Sequence, residues 1–222
     1  FPNVEGIVAI EGKTIEEVPF PAIVKPAYLG SSIGIKVVKN NEELEQALNV
    51  AYKYTNKVLI EKAIIDFKEY NCAVIKDHNE LIISTIEEVK HDEEILSFSQ
   101  KYEKSEGKMS GSPNRIIPAS INEQLKEEII KISKELYRWF DLKGVVRIDY
   151  IYDLDENKLY VNEINNIPGS LAFYLFEKEG IPFTKMIDIL VTNAIIEKHN
   201  KDKKITTFES NVFNKKSFKL NK

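Results

Sequence analysis

The chain has 222 residues, 43% hydrophobic and 30% charged, with a net charge of −4, enough for one compact domain or two small subdomains sharing a core. The negative balance argues against general nucleic-acid affinity, and neither a signal peptide nor an apolar run of the roughly 20 residues that span a bilayer is present. A single cysteine, Cys72, excludes a disulfide framework, and three histidines (His78, His91, His199) leave little for a zinc site.

Alternation and β-branched runs predict strands over residues 20–25, 34–39, 57–62, 68–76 and 80–89. Between the second and third, residues 42–54 place Leu44, Leu48, Ala51 and Tyr52 at helical spacing behind an Asn41 cap. After Ser120, which forms a capping box with Glu123, Leu125, Ile129, Ile132, Leu136 and Trp139 or Phe140 recur as one apolar stripe. Trp139 is expected in the core. Strands over 145–153 and 158–165 flank the turn-prone Leu154-Asp155-Glu156-Asn157. A short helix starts at Ser170, and a last one over 184–199 turns Ile187, Leu190, Val191, Ala194 and Ile195 inward. Residues 201–222 hold seven lysines against Asp202 and Glu209, a net of +5, which leaves −9 on the other 200. A solvated, flexible tail is expected there. The chain opens Phe1-Pro2-Asn3 without an initiator Met, as a piece of something longer would. Strands and helices do not alternate regularly, so the fold class is α+β rather than a doubly wound parallel sheet.

With only nine glycines, their positions carry information. Gly30 and Gly34 bracket one loop, Gly107 and Gly111 a second, and Gly169 sits in a third. The second, over 97–115, is long, polar and without periodicity, as lids often are. In Lys25-Pro26-Ala27-Tyr28-Leu29-Gly30-Ser31-Ser32-Ile33-Gly34 a lysine ends an apolar strand and a glycine-bracketed serine pair follows. Such a loop can fold over phosphate oxygens while Lys25 supplies charge from beneath; a β-hairpin with a polar tip would carry the same residues. Neither G-x-x-x-x-G-K-[ST] nor G-x-G-x-x-G is present.

Arg147 and Asp149 lie two apart on one strand, Glu163 and Asn165 two apart on the next, so each pair shares a face. A hairpin centred on Glu156 sets Asp149 opposite Glu163 and Arg147 opposite Asn165. Directly opposed carboxylates repel, which suggests a cation between them. Asp, Glu and an Asn carbonyl are hard ligands that select Mg²⁺ or Mn²⁺. Val146, Ile148, Tyr150, Tyr160 and Ile164 form the opposite, apolar face. An exposed, salt-bridged sheet face is the alternative; that Arg147 is one of three arginines among 28 lysines favours the metal. Pro168 and Gly169 then open a helix whose backbone N–H groups are expected to point at one anion. Residues 58–64, an apolar strand ending in Glu61, are followed by Glu69, a combination that suits an adenine edge and ribose hydroxyls.

Through VKPAYLGSSIGI, VLIEKAI with KEYNCAV, SQKYE, RIIPA, RIDY and VNEINNIPGS, the chain resembles the D-alanine–D-alanine ligase family of the ATP-grasp superfamily from Val18 to about His199. The resemblance implies an ATP-grasp fold: two α+β subdomains, residues 1–64 and 65–200, with mainly antiparallel sheets gripping ATP, and 201–222 as the tail. It implies an ATP-dependent ligase of the bacterial cytoplasm that makes a dipeptide for peptidoglycan precursors, with D-alanine or a similar amino acid as substrate. Lys25 would contact ATP phosphates under a loop holding Ser31 and Ser32, with Ser31 also counted among the catalytic residues. Glu61, Lys62 and Ile64 would line the adenine side, Ile64 through its backbone. Glu69 would hold the ribose, and Lys101 would be a second phosphate-binding lysine. Asp149, Glu163 and Asn165 would bind two Mg²⁺ (or Mn²⁺) ions, and Arg147 with the Gly169 N–H would stabilise the oxyanion of the tetrahedral intermediate.

Two departures stand out. Tyr174 occupies about the place of a serine that reads the second substrate's carboxylate in many members. The N-terminal domain that helps form the first amino-acid site is missing, so the chain alone is expected to be inactive. Other readings are another ATP-grasp carboxylate–amine ligase, or a nucleotide-binding module without turnover. A homodimer of the full-length parent stays open; nucleic acid and membrane are not expected partners.

Overall fold

The computed structural model describes residues 1–15, 17–29, 33–90 and 114–205. Ser31, Ser32 and Lys101, the expected lid as far as residue 113 and the basic tail from residue 206 therefore lie outside the described residues. Among the described residues no helix is long and apolar enough to cross a membrane.

The first sheet contains β1 (Gly6–Ile10), β2 (Ala22–Pro26), β3 (Lys36–Val38) and β4 (Lys57–Lys62), antiparallel in the order β1-β4-β2-β3. The half-exposed edge strand β1 was not expected from the alternation. It can lie close to β4 because Gly6, paired with Glu61, has no Cβ; one built there would sit 2.8 Å from the Ile60 carbonyl oxygen. Helix α1 (Asn41–Ala51) lays Leu44, Ala47, Leu48 and Ala51 over Val24, Val38, Val58 and Ile60. Its cap is Asn40, one residue before the expected Asn41. The Asn40 side chain accepts from Glu43 N at 2.9 Å, and Glu43 in turn accepts from Lys39 N at 2.9 Å, a reciprocal arrangement that satisfies two donors at once.

The second sheet comprises β5 (Phe67–Asp77), β6 (Glu80–Ile83), β7 (Glu87–Lys90), β8 (Asn114–Ile116), β9 (Val145–Asp153) and β10 (Lys158–Asn165). Its order is β10-β9-β5-β7-β8, with β6 also paired to β5. The single strand expected over 80–89 is broken at Ser84. Ser84 N still donates to the Ala73 carbonyl at 2.8 Å, but the Ser84 hydroxyl accepts from Ala73 N and donates to the Thr85 carbonyl, both at 2.8 Å, so a side chain takes over half of the ladder bonding there.

Helix α2 (Glu123–Trp139) covers one face. Leu125, Ile129, Ile132 and Leu136 pack on Tyr70, Cys72 and Val74 of β5 and Val146, Ile148 and Tyr150 of β9. The cap is Asn122, which accepts from Leu125 N at 2.8 Å, and not the expected Ser120. Trp139 is not core: it is 77% exposed and Phe140 55%. In the last turn it is Tyr137 that points inward, its hydroxyl donating to the Gly144 carbonyl at 2.9 Å.

The other face is covered only in part. A 3₁₀ turn (Gly169–Ala172), helix α3 (Phe173–Glu177) and helix α4 (Phe183–Asp202) bury Ala73, Ile75 and Val145 under Leu175, Phe176, Met186 and Ile189. The inward face of α4 is rotated from the expected one. Met186 and Ile189 are buried and Asn193 donates to the Lys76 carbonyl, while Val191 and Ile195 are 52% and 64% exposed. From Ala194 to its end at Asp202 every residue of the helix is exposed. Beyond Ala73 the face of β5 and β9 left uncovered by these helices becomes polar, and the candidate site lies there.

Candidate functional site

The β9–β10 hairpin begins at a turn held by Asp153, whose Oδ1 accepts from Asp155 N at 2.9 Å and Glu156 N at 3.0 Å. Pairing starts as Lys158↔Asp153 and Tyr160↔Ile151, then shifts by one residue between Val161 and Glu163. Asn162 is the extra residue of this β-bulge. Before it, Tyr160 falls on the Ile151 side, packed with Val4 and Ile64, rather than on the face of Ile148 where sequence alternation put it. After it, Glu163 stands opposite Asp149 and Asn165 opposite Arg147, the register expected from the sequence.

The four side chains of that register meet. Arg147 holds Asp149 with both arms of its fork, Nε to Oδ1 at 2.6 Å and an Nη to Oδ2 at 2.7 Å. Asn165 Nδ2 donates to Asp149 Oδ2 at 2.8 Å and to Glu163 Oε1 at 3.0 Å. Asp149 is only 4% exposed. Burial pushes its carboxyl up to about 7, with Glu163 and Glu69 adding to the rise, against the pull of Arg147. The hydrogen bonds to Asp149 raise the proton affinity of Arg147 despite its partial burial. One guanidinium does not fully offset the charge gathered here.

That donor set fits a hard divalent cation. Two carboxylate oxygens from adjacent strands converge on one point, at present the Asn165 amide nitrogen, and turning the amide over presents Oδ1 instead. Asn71, opposite Asp149 on β5, and Glu87, opposite Asn71 on β7, extend the row across the sheet. Asn71 Oδ1 and Glu87 Oε2 are buried and accept no hydrogen bond, so this face holds more acceptor oxygens than the described donors satisfy. Among the described residues no three His, Cys, Asp or Glu side chains are grouped to hold an ion. An ion on this hairpin would take its third side-chain oxygen from Asn165.

Lys25 of β2 reaches the same region from the first sheet. Its Nζ lies 2.5 Å from Glu61 Oε2 and donates to Asn162 Oδ1 at 3.1 Å. The bulge thus puts Asn162 between the lysine and Glu163. Glu69 lies on β5 opposite Ile151, close enough to raise Asp149. Ile64 is buried against Val4 and Tyr160. Lys62 is not brought to the cluster: it bonds Glu156 at 2.7 Å, at the hairpin turn, roughly 20 Å of strand away from Glu163.

Gly169 opens the turn beside β9, and a Cβ built on it would meet nothing within 4 Å. The left-handed conformation that glycine tolerates best falls not on Gly169 but on its successors. Ser170, Leu171 and Ala172 all adopt the left-handed conformation, with φ of 51°, 52° and 50°. Three consecutive non-glycine residues of this kind cost on the order of 1–3 kcal/mol each, and strain of this sort gathers at functional sites.

Several contributors escaped the sequence reading. Glu87 is wholly buried and accepts from Asn71 Nδ2 and from the Tyr174 hydroxyl, both at 2.9 Å. Arg115 lies 3.4 Å from Glu87 Oε2, donates to the Tyr174 hydroxyl and stacks over its ring. The alternation of Glu69 and Asn71 with Tyr70 and Cys72 carried a signal for Asn71. The arginine scarcity that marked Arg147 applied equally to Arg115. Nothing in the sequence marks a bulge at Asn162.

A family model described as "D-ala D-ala ligase C-terminus" matches residues 5–192. The D-alanine--D-alanine ligase of Thermosipho africanus is 40% identical over 201 residues, 90% of this chain and 53% of that protein. That of Thermosipho melanesiensis is 42% identical over 193 residues, 87% of this chain and 51% of that protein. Among solved structures, the D-alanine-D-alanine ligase from Helicobacter pylori aligns with a TM-score of 0.65 at 30% identity, over 86% of this chain and 53% of that one. The chain spans about half the length of the curated relatives it matches.

Proposed function

The chain belongs to the D-alanine–D-alanine ligase family and has its ATP-grasp fold, and from that premise we propose that it supplies the ATP-binding and catalytic portion of a ligase that joins two D-amino acids, D-alanine first among them. The observation that carries this reading is the convergence of Asp149, Glu163 and Asn165 with Arg147 on one hairpin face, with Lys25 one side chain away. Residues 1–64 form the smaller and 65–200 the larger ATP-grasp subdomain in this account.

Asp149, Glu163 and Asn165 would hold Mg²⁺ or Mn²⁺, two ions in the family's manner. Such ions, when bound, neutralise the triphosphate and polarise the γ-phosphoryl group. Lys25 adds positive charge from the first sheet, aided by Lys101 and by the loop of Ser31 and Ser32. Glu61, Ile64 and Glu69 lie along the nucleotide. A substrate carboxylate takes the γ-phosphoryl group, and the amine of a second amino acid displaces phosphate from the resulting acyl phosphate. Arg147 and the Gly169 N–H stabilise the oxyanion formed in that attack. The product suits peptidoglycan precursor synthesis in the cytoplasm. Residues beyond 1–222 would complete the amino-acid pocket.

Mutual bonding within the cluster favours a second reading, a module that binds nucleotide without turnover. Phosphate release and dipeptide formation, assayed on the full-length protein with ATP, Mg²⁺ and a panel of D- and L-amino acids, separate the two. Release that depends on D-alanine supports the ligase; Mg²⁺-dependent ATP binding with no release under any amino acid supports the module.

A further inference from the structure

Glu87 is an acid with 0% exposure at a junction of three elements. Its Oε1 accepts from Asn71 of β5 and from the Tyr174 hydroxyl of α3, each at 2.9 Å, and its Oε2 lies 3.4 Å from Arg115 of β8. Tyr174 is thereby committed in both directions: it donates to Glu87 and accepts from Arg115, whose guanidinium carbon stacks 5.0 Å from the ring centroid. The Arg115 side chain remains 32% exposed, on the same sheet face as Glu69.

Stability alone gives weak reason for such an acid, because a buried ion pair is often no better for the fold than apolar residues of similar volume. What an acid supplies here is direction. Tyr174 follows the left-handed turn Ser170–Leu171–Ala172 by two residues, and that turn carries Gly169. The Tyr174 hydrogen bond ties the strained turn's far end to the sheet. Glu87 stands opposite Asn71, which stands opposite Asp149, the residue that Arg147 grips with both arms of its fork.

Resting on the ligase reading above, we propose that Glu87 is a positioning residue: through Tyr174 and Arg115 it fixes the Gly169 turn against Arg147. It touches neither substrate nor nucleotide itself, so its removal acts on turnover of the amino acid while leaving nucleotide affinity alone.

The test is a double-mutant cycle in the full-length protein with Glu87→Gln, Tyr174→Phe and the pair. Each single variant is expected to lower kcat/KM for the amino acid about tenfold, the scale of one hydrogen bond to a charged group. The pair should fall no more than about threefold below the worse single, because both remove the same link. Mg²⁺–ATP affinity should stay within about twofold throughout, and Tyr174→Phe should melt with the wild type. Where Glu87→Gln fails to fold, Glu87→Asp takes its place in the cycle. Effects that multiply to about a hundredfold, or a Tyr174→Phe enzyme with wild-type kinetics, overturn the positioning role alone. A wild-type protein that releases no phosphate overturns the ligase reading and this role with it.

Discussion

Asp149 and Glu163 stand directly opposite one another across the β9–β10 ladder, and the Asn165 amide, 2.8 and 3.0 Å from their oxygens, sits between them. Opposed carboxylates are ordinarily destabilising in a sheet. Here the amide and the Arg147 fork offset part of the repulsion, while burial above all, with Glu163 adding to it, keeps the Asp149 carboxyl raised. A pair arranged this way has a use for a cation that an ordinary surface pair lacks.

Glu163→Gln removes one of the two opposed charges while keeping shape and hydrogen-bonding capacity. With Mg²⁺ present, calorimetry is expected to show ATP binding weakened by about tenfold or more, the scale of losing a polar group at a metal site. Without metal, the variant and the wild type should bind alike. Equal affinity in the presence and absence of Mg²⁺ for the wild type removes the ion from this hairpin.

Arg147→Ala separates the oxyanion role from nucleotide binding. Loss of one preorganised donor costs about 10²–10³ in turnover. The full-length variant should show that drop in kcat, with ATP affinity changed by less than about threefold. Unchanged turnover refutes the oxyanion assignment.

The hairpin itself was legible because period-two alternation and a turn-prone tetrapeptide leave few registers open, and both strands run as expected over Val145–Asp153 and Lys158–Asn165. The bulge was not legible. It brings Asn162 to Lys25 across two sheets, a contact 137 residues apart in sequence. Helix ends were misplaced for a related reason: Asn40 and Asn122 outcompete Asn41 and Ser120 through hydrogen bonds that composition cannot rank. The rotation of α4 follows the shape of the sheet edge beneath Met186 and Ile189, which no helical wheel contains. Nothing in the sequence singles out Glu87; only the ladder sets it across from Asn71, where the Tyr174 hydroxyl reaches it.

Cys72, the chain's single cysteine, reports on the second sheet. It lies on β5, fully buried beneath α2, and burial pushes its thiol up to about 12. The folded state thus favours the neutral thiol, binding a proton that the unfolded chain releases near pH 8.5. Stability from this group is complete below that pH and is lost as pH rises toward 12. At pH 8.5 the native protein should react with iodoacetamide at under about a hundredth of the rate in denaturant, since the thiolate is the nucleophile. Mass spectrometry of timed samples gives the ratio. Native labelling within about tenfold of the denatured rate contradicts the buried placement.

Lys25 is shared between a carboxylate on its own sheet and a neutral amide on the other, Glu61 at 2.5 Å and Asn162 at 3.1 Å. In the proposed role, where it also faces a triphosphate, the lysine can leave a neutral acceptor at little cost. Replacing Asn162 with Asp sets a second negative charge beside Lys25 and next to Glu163. At about 4 Å and an effective dielectric near 20, a like charge opposing a phosphate costs about 4 kcal/mol before solvent screening. A loss of about tenfold or more in Mg²⁺–ATP affinity is therefore expected for Asn162→Asp, against less than about threefold for Asn162→Ala, which only frees the lysine. Calorimetry on both variants with a matched Lys25→Met control gives the comparison. If Asn162→Asp binds as the wild type does while Lys25→Met does not, the bulge lies outside the reach of the phosphates, and its contact with Lys25 serves only to join the sheets.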